Sequence, residues 1–67
     1  MTLVAPLTDR EQVVLGFLDS DLSTRQIAEE LYVSVNTVRS QLRSIYRKLH
    51  ASRRSDAVRH ARHLKLL

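Results

Sequence analysis

The chain has 67 residues, no cysteine, one glycine and a formal net charge of +4, so it holds one domain that must close its core without disulfides or a Cys-based zinc site. Its longest apolar runs, Leu3–Pro6 and Val13–Leu15, are too short for a membrane span, and the opening MTLVAPLT lacks the basic start of a secretion signal, so a soluble cytoplasmic chain is expected. The charge is polarised: two bases face six acids before Arg39, a local −4, and nine bases face Asp56 alone from Arg39 onward, a local +8, which points to nucleic acid or an anionic membrane surface as partner.

Residues 1–6 show no helical period, and Pro6 disfavours helix at Ala5, so they read as a disordered tail or linker end before a domain spanning 7–67. Thr8-Asp9-Arg10-Glu11 is a capping box that starts a first helix, with Val14, Leu15, Phe17 and Leu18 on its buried face. Gly16 inside it costs about 1 kcal/mol relative to Ala, and marks either a tight helix contact or a tolerated weakness. Asp19-Ser20-Asp21-Leu22 breaks the helix, and Asp21 sits where a left-handed cap would prefer glycine, so local strain is expected there. A second capping box, Ser23-Thr24-Arg25-Gln26, opens a short helix whose Ile27, Ala28 and Leu31 face inward. Ser34 is then a good N-cap for a third helix, and Val33 before it can staple onto Val38.

The third helix, Ser34 to Leu49, has two faces. Val38, Leu42, Ile45 and Leu49 recur at i, i+4, i+7 and i+11, a stripe that must be buried. Opposite lie Asn36, Ser40, Arg43 and Arg47, with Arg39 on the flank, a surface suited to a polyanion. An Arg-rich face is often mere solvation, but solvated helices usually interleave charge signs, and no acid occurs from Arg39 to Ser55. Two short helices joined by a tight turn, the second basic on its outside, form the helix-turn-helix pattern. After His50-Ala51-Ser52 a fourth helix carries Ala57, Val58, Ala61 and Leu64 on one side. The chain thus reads as all-α with four helices. Two tyrosines and one phenylalanine offer too few platforms for stacking on single strands, which favours duplex.

These segments together resemble the LuxR-type (GerE-like) helix-turn-helix domain, the output module of many bacterial response and quorum-sensing regulators. The carriers are LTDREQVVL (Leu7–Leu15), LSTRQIAEEL (Leu22–Leu31), VSVNTVRSQLRSIYRKL (Val33–Leu49) and SRRSDAV (Ser52–Val58), followed by Ala61 and the terminal Leu66-Leu67. The resemblance implies sequence-specific binding of double-stranded DNA, with the third helix in the major groove and Arg39, Ser40 and Arg43 reaching base edges. Asn36, Thr37, Gln41 and Arg47 are assigned to phosphate or positioning contacts, aided by the helix N-terminus, with Ser23 and Arg25 of the second helix beside them. It further implies a homodimer through the fourth helix, including Arg59 and Arg62, and leaves RNA polymerase as a further candidate partner. This chain departs from the family pattern at Asp21 for a turn glycine, Gln26 for Glu, Gln41 for His and Lys65 for a late glycine. Gln41 could read a base or only bond phosphate.

Other readings compete at particular residues. Asp56, His60 and His63 share a helical face, but a solvated basic face is the better reading than a metal site, and no metal, cofactor or small-molecule ligand is expected. His50 is placed to cap the third helix's C-terminus. No Gly-rich loop or strand-turn-helix context supports a catalytic pocket, so an enzyme is not expected. Two alternatives remain: region 4 of a sigma factor, which shares the helix-turn-helix signature but typically ends soon after the recognition helix, and a helical domain that binds an acidic protein. The closing Leu66-Leu67 suggests a native C-terminus for an output module.

Overall fold

The computed structural model describes residues 2–67 and contains four helices, α1 (Asp9–Leu18), α2 (Thr24–Leu31), α3 (Val35–Lys48) and α4 (Arg54–His63), with no strand among the described residues. The three capping residues do what their spacing dictates. Thr8 Oγ1 accepts from the Glu11 amide at 3.1 Å while Glu11 Oε1 accepts from the Thr8 amide at 2.8 Å. Ser23 and Gln26 repeat this at 3.2 and 2.8 Å, so Gln replaces Glu without loss, because an amide oxygen accepts as a carboxylate does. Ser34 Oγ accepts from the Thr37 amide at 3.1 Å, and Val33 packs against the core that contains Val38. The start of α4 has no side-chain cap at Arg53.

The apolar stripe of α3 forms the centre. Val38, Ile45 and Leu49 are fully buried and Leu42 nearly so, surrounded by Val14, Leu15 and Leu18 of α1, Ile27 and Ala28 of α2, and Ala57 and Ala61 of α4. Each large aliphatic side chain buried in this way contributes about 1.5–3 kcal/mol. The two alanines let α4 approach closely, while Phe17, Leu31, Val58 and Leu64 cover the margins.

Several expectations are corrected. Asp21 is not strained: α1 ends at Asp19 with φ −88°, and the turn is closed by Ser20, whose hydroxyl donates to the Phe17 carbonyl and accepts from the Leu22 amide. The left-handed residues among those described are Tyr32 (φ 57°), His50 (φ 56°) and Lys65 (φ 60°), so of the departures at glycine-favouring positions it is Lys65 that takes the unfavourable backbone. Residues 3–6 run beside the end of α3. The Val4 amide donates to the Lys48 carbonyl at 3.0 Å, and Leu3 packs on the core, because the unpaired carbonyls at the end of α3 need partners that a passing extended segment can supply. Met1 of that segment lies outside the described residues. No side chain approaches within 4 Å of the Cβ position at Gly16, so this glycine is a tolerated weakness.

Two polar contacts tie the elements together. Lys48 Nζ donates to Glu11 Oε1 at 2.6 Å and to the Pro6 carbonyl at 3.0 Å, joining the end of α3 to the start of α1, with both side chains at most 10% exposed. Arg54 donates to the carbonyls of Leu18 (3.1 Å), Phe17 (3.3 Å) and Ser20 (2.9 Å), so the first residue of α4 caps the last turn of α1.

Candidate nucleic-acid interface

The outer face of α3 is built by the same periodicity that buries its core stripe. Asn36, Arg39, Ser40, Arg43 and Arg47 are all exposed. Among the described residues none of these arginines enters an ion pair. The helix offers no acid in its first turn, and neither does α2, whereas α1 begins with Asp9 and Glu11. The N-termini of α2 and α3, with Ser23, Arg25, Asn36 and Thr37 on them, therefore keep their partial positive charge unopposed. Ser23 and Thr37 are already engaged: the Ser23 hydroxyl accepts the Gln26 amide, and Thr37 Oγ1 lies 2.9 Å from Ser34 Oγ. Each hydroxyl retains capacity for further bonds.

Gln41 differs from its neighbours. It is half-buried, and its Oε1 is shielded with no hydrogen-bond partner. Bidentate recognition of adenine needs both the amide oxygen and the amide nitrogen at the surface. Rotating the amide exchanges the two atoms but still leaves one facing inward, so this side chain offers outward either donors or acceptors and not both.

Of the remaining cations of the C-terminal half, all but Lys65 are occupied. Lys48 is buried against Glu11, whose burial alone would push its carboxyl up. Hydrogen bonds from Lys48, Ser44 and the Thr8 backbone, with the Lys48 charge, outweigh that burial and hold the carboxyl at about 2. Arg54 is bonded to three carbonyls of the α1 end. Asp56 is approached by Arg53 at 3.8 Å and Arg59 at 3.0 Å, and Arg62 bonds Asp19 across the α1–α4 boundary. Arg59 and Arg62, expected in a dimer contact, thus have partners within their own chain. They border an open cleft of about 640 Å³ between the α1–α2 turn and α4.

The three histidine and acid residues singled out on α4 do not converge on a common point. Asp56 takes Ser52, Arg53 and Arg59, and His60 Nδ1 lies 2.7 Å from the Leu49 carbonyl. Since a carbonyl only accepts, Nδ1 carries the proton, and it is His60 that caps the C-terminus of α3. His50 is exposed and contributes only its backbone amide, to the Arg47 carbonyl. Sequence spacing could not rank the two histidines, because His60 reaches α3 from another helix. The Lys48–Glu11 pair and the Arg54 cap leave no local sequence signal for the same reason. No helix among the described residues is long and apolar enough to cross a membrane.

Comparison with known proteins agrees with this arrangement. In the crystal structure of the response regulator ChrA, from a heme-sensing two-component system, a region superposes with a TM-score of 0.90 at 38% identity, covering 94% of this chain and 31% of that one. The chain thus spans about a third of that protein's length. The family model of the bacterial regulatory proteins of the luxR family (GerE) matches residues 5–61, from the segment packed on the end of α3 to the buried Ala61 of α4. With its four helices and unpaired basic face on α3, the chain belongs to the LuxR family of bacterial regulators, as a helix-turn-helix DNA-binding domain.

Proposed function

We propose that the chain binds duplex DNA in a sequence-specific manner as the output unit of a bacterial transcriptional regulator, with α3 in the major groove. The observation that carries this is the exposed, acid-free row Arg39, Arg43 and Arg47 on a helix whose opposite face is locked in the core. Arg39, Ser40 and Arg43 are the base readers. Arginine can bond guanine O6 and N7 together, and the small Ser40 between them lets the helix approach. Asn36, Thr37 and Arg47, with Ser23 and Arg25 at the start of α2, hold the phosphates on either side, and Gln41 adds a contact through its outward amide atom. Two copies pair through α4, with Arg59 and Arg62 at the margin of the contact, and RNA polymerase is the partner for a bound activator.

The sigma-factor alternative is disfavoured because α4 follows the recognition helix and the family match extends into it as far as Ala61. Binding of an acidic protein by the same face remains the competing outcome. Fluorescence anisotropy with duplex pools over a salt series separates them: DNA reading requires steep salt dependence and a sequence preference above nonspecific binding. Arg43→Ala is expected to weaken the selected site by about 1–3 kcal/mol and relax one base-pair position. Selected sites should hold two half-sites about 10 bp apart or a multiple of that, and single asymmetric sites would count against the dimer.

A further inference from the structure

We propose that the flank of α3 holds a pocket for the 5-methyl group of a thymine, formed by Leu42 and Tyr46 between the guanidinium groups of Arg39 and Arg43. This rests on the duplex-DNA reading above. An open cleft of about 330 Å³ is lined by these four residues and no others. Its floor is apolar: Leu42 retains 8% exposure and Tyr46 is half-buried against the core. Its rim is cationic, since Arg39 and Arg43 are exposed and pair with no acid among the described residues. Arg39, Arg43 and Tyr46 stand at i, i+4 and i+7, so the aromatic ring continues the line of the two candidate base readers.

A phosphate could meet the two guanidinium groups at the rim, but it would leave the leucine and tyrosine floor facing a charged group that gains nothing from it. The edges of guanine, cytosine and adenine in the major groove present hydrogen-bonding groups and no apolar one. Thymine alone offers a methyl group, beside an acceptor oxygen that a guanidinium can reach. A cleft with an apolar floor and two donors at its rim matches a thymine adjacent to a guanine. Specificity at that step would then come from the floor as well as from the arginines.

The test uses the 67-residue chain and a selected duplex in which each thymine is replaced singly by deoxyuridine, a change that removes only the methyl group. One thymine per half-site, next to a guanine, should lose about fourfold in affinity on this replacement, the value expected for one buried methyl. Placing 5-iododeoxyuridine at that position should give a photo-crosslink to Tyr46. In Tyr46→Asn, with helix content checked by circular dichroism, the deoxyuridine effect should vanish. A flat deoxyuridine scan on a duplex that the wild-type chain binds with clear sequence preference overturns the methyl pocket alone, as does a methyl-sensitive thymine that crosslinks elsewhere. Absence of any sequence preference in the wild-type chain overturns the duplex-DNA reading, and the pocket with it.

Discussion

Arg47 and Lys48 are adjacent in sequence and carry the same charge, yet Arg47 stands free on the outer face of α3 while Lys48 is buried against Glu11. The same division runs through the whole basic half of the chain. Arg39, Arg43 and Arg47 have no acidic partner among the described residues, whereas Arg53, Arg59 and Arg62 meet Asp56 or Asp19 and Arg54 meets three carbonyls. Net charge therefore overstates the surface available to a polyanion. What counts is which cations the fold leaves unpaired: among the described residues, three of them line one face of α3, and Arg10, Arg25 and Lys65 stand singly elsewhere.

The comparison breaks most visibly at Lys48. Lys48→Met leaves the Glu11 carboxylate shielded without its partner, and unfolding in urea should show a loss of about 3–5 kcal/mol. Adding Glu11→Gln should recover most of it, because Gln keeps the acceptor for the Thr8 amide. If Lys48→Met costs less than about 1 kcal/mol, the pair is a surface contact only. Arg47→Ala, by contrast, should leave stability unchanged.

Acid separates the two regions in another way. Glu11 is depressed from 4.5 to about 2 on folding, so the folded state binds fewer protons than the unfolded one between those values. The stability it contributes, on the order of 3 kcal/mol, is present above about pH 4.5 and is lost as pH falls toward 2. Urea midpoints measured across that window should fall in the wild-type chain and fall less in the Glu11→Gln/Lys48→Met double variant.

Next in size is Arg54→Ala, which strips three carbonyls at the end of α1 of their donor and should destabilise by about 1–3 kcal/mol. Thermal unfolding would read this, and an effect as small as that of an exposed arginine would refute the cap. Gly16→Ala sits at the far end: its Cβ meets open space, so the helix should gain about 1 kcal/mol with no change in DNA affinity.

Most of the fold was legible because its signals are local. The Thr8, Ser23 and Ser34 caps, the α3 stripe and the break at His50 all follow from neighbours within one or two turns, and each stands where the spacing put it. What escaped the sequence lies between elements. Lys48 meets Glu11 across 37 positions, Arg54 meets Leu18 across 36, and the Val4 amide reaches the Lys48 carbonyl, none of which a periodicity can signal. Proximity in sequence points to His50 as the α3 cap, and packing brings the His60 ring there instead. The face of α3 was legible in outline, since absence of acid is a local fact. The shielding of the Gln41 oxygen was not, because it depends on side chains brought over by other helices.

On the proposed duplex-DNA reading, the unpaired arginines of α3, and not basic charge in general, hold the DNA. The most direct measurement is the slope of log affinity against log salt for a selected duplex, compared between Arg47→Ala and Arg53→Ala. Removing a phosphate-bound charge should lower the slope by about 0.9, so Arg47→Ala should show that decrease and Arg53→Ala, whose charge lies beside Asp56, should show none. Equal decreases in both variants, or none in either, would contradict it.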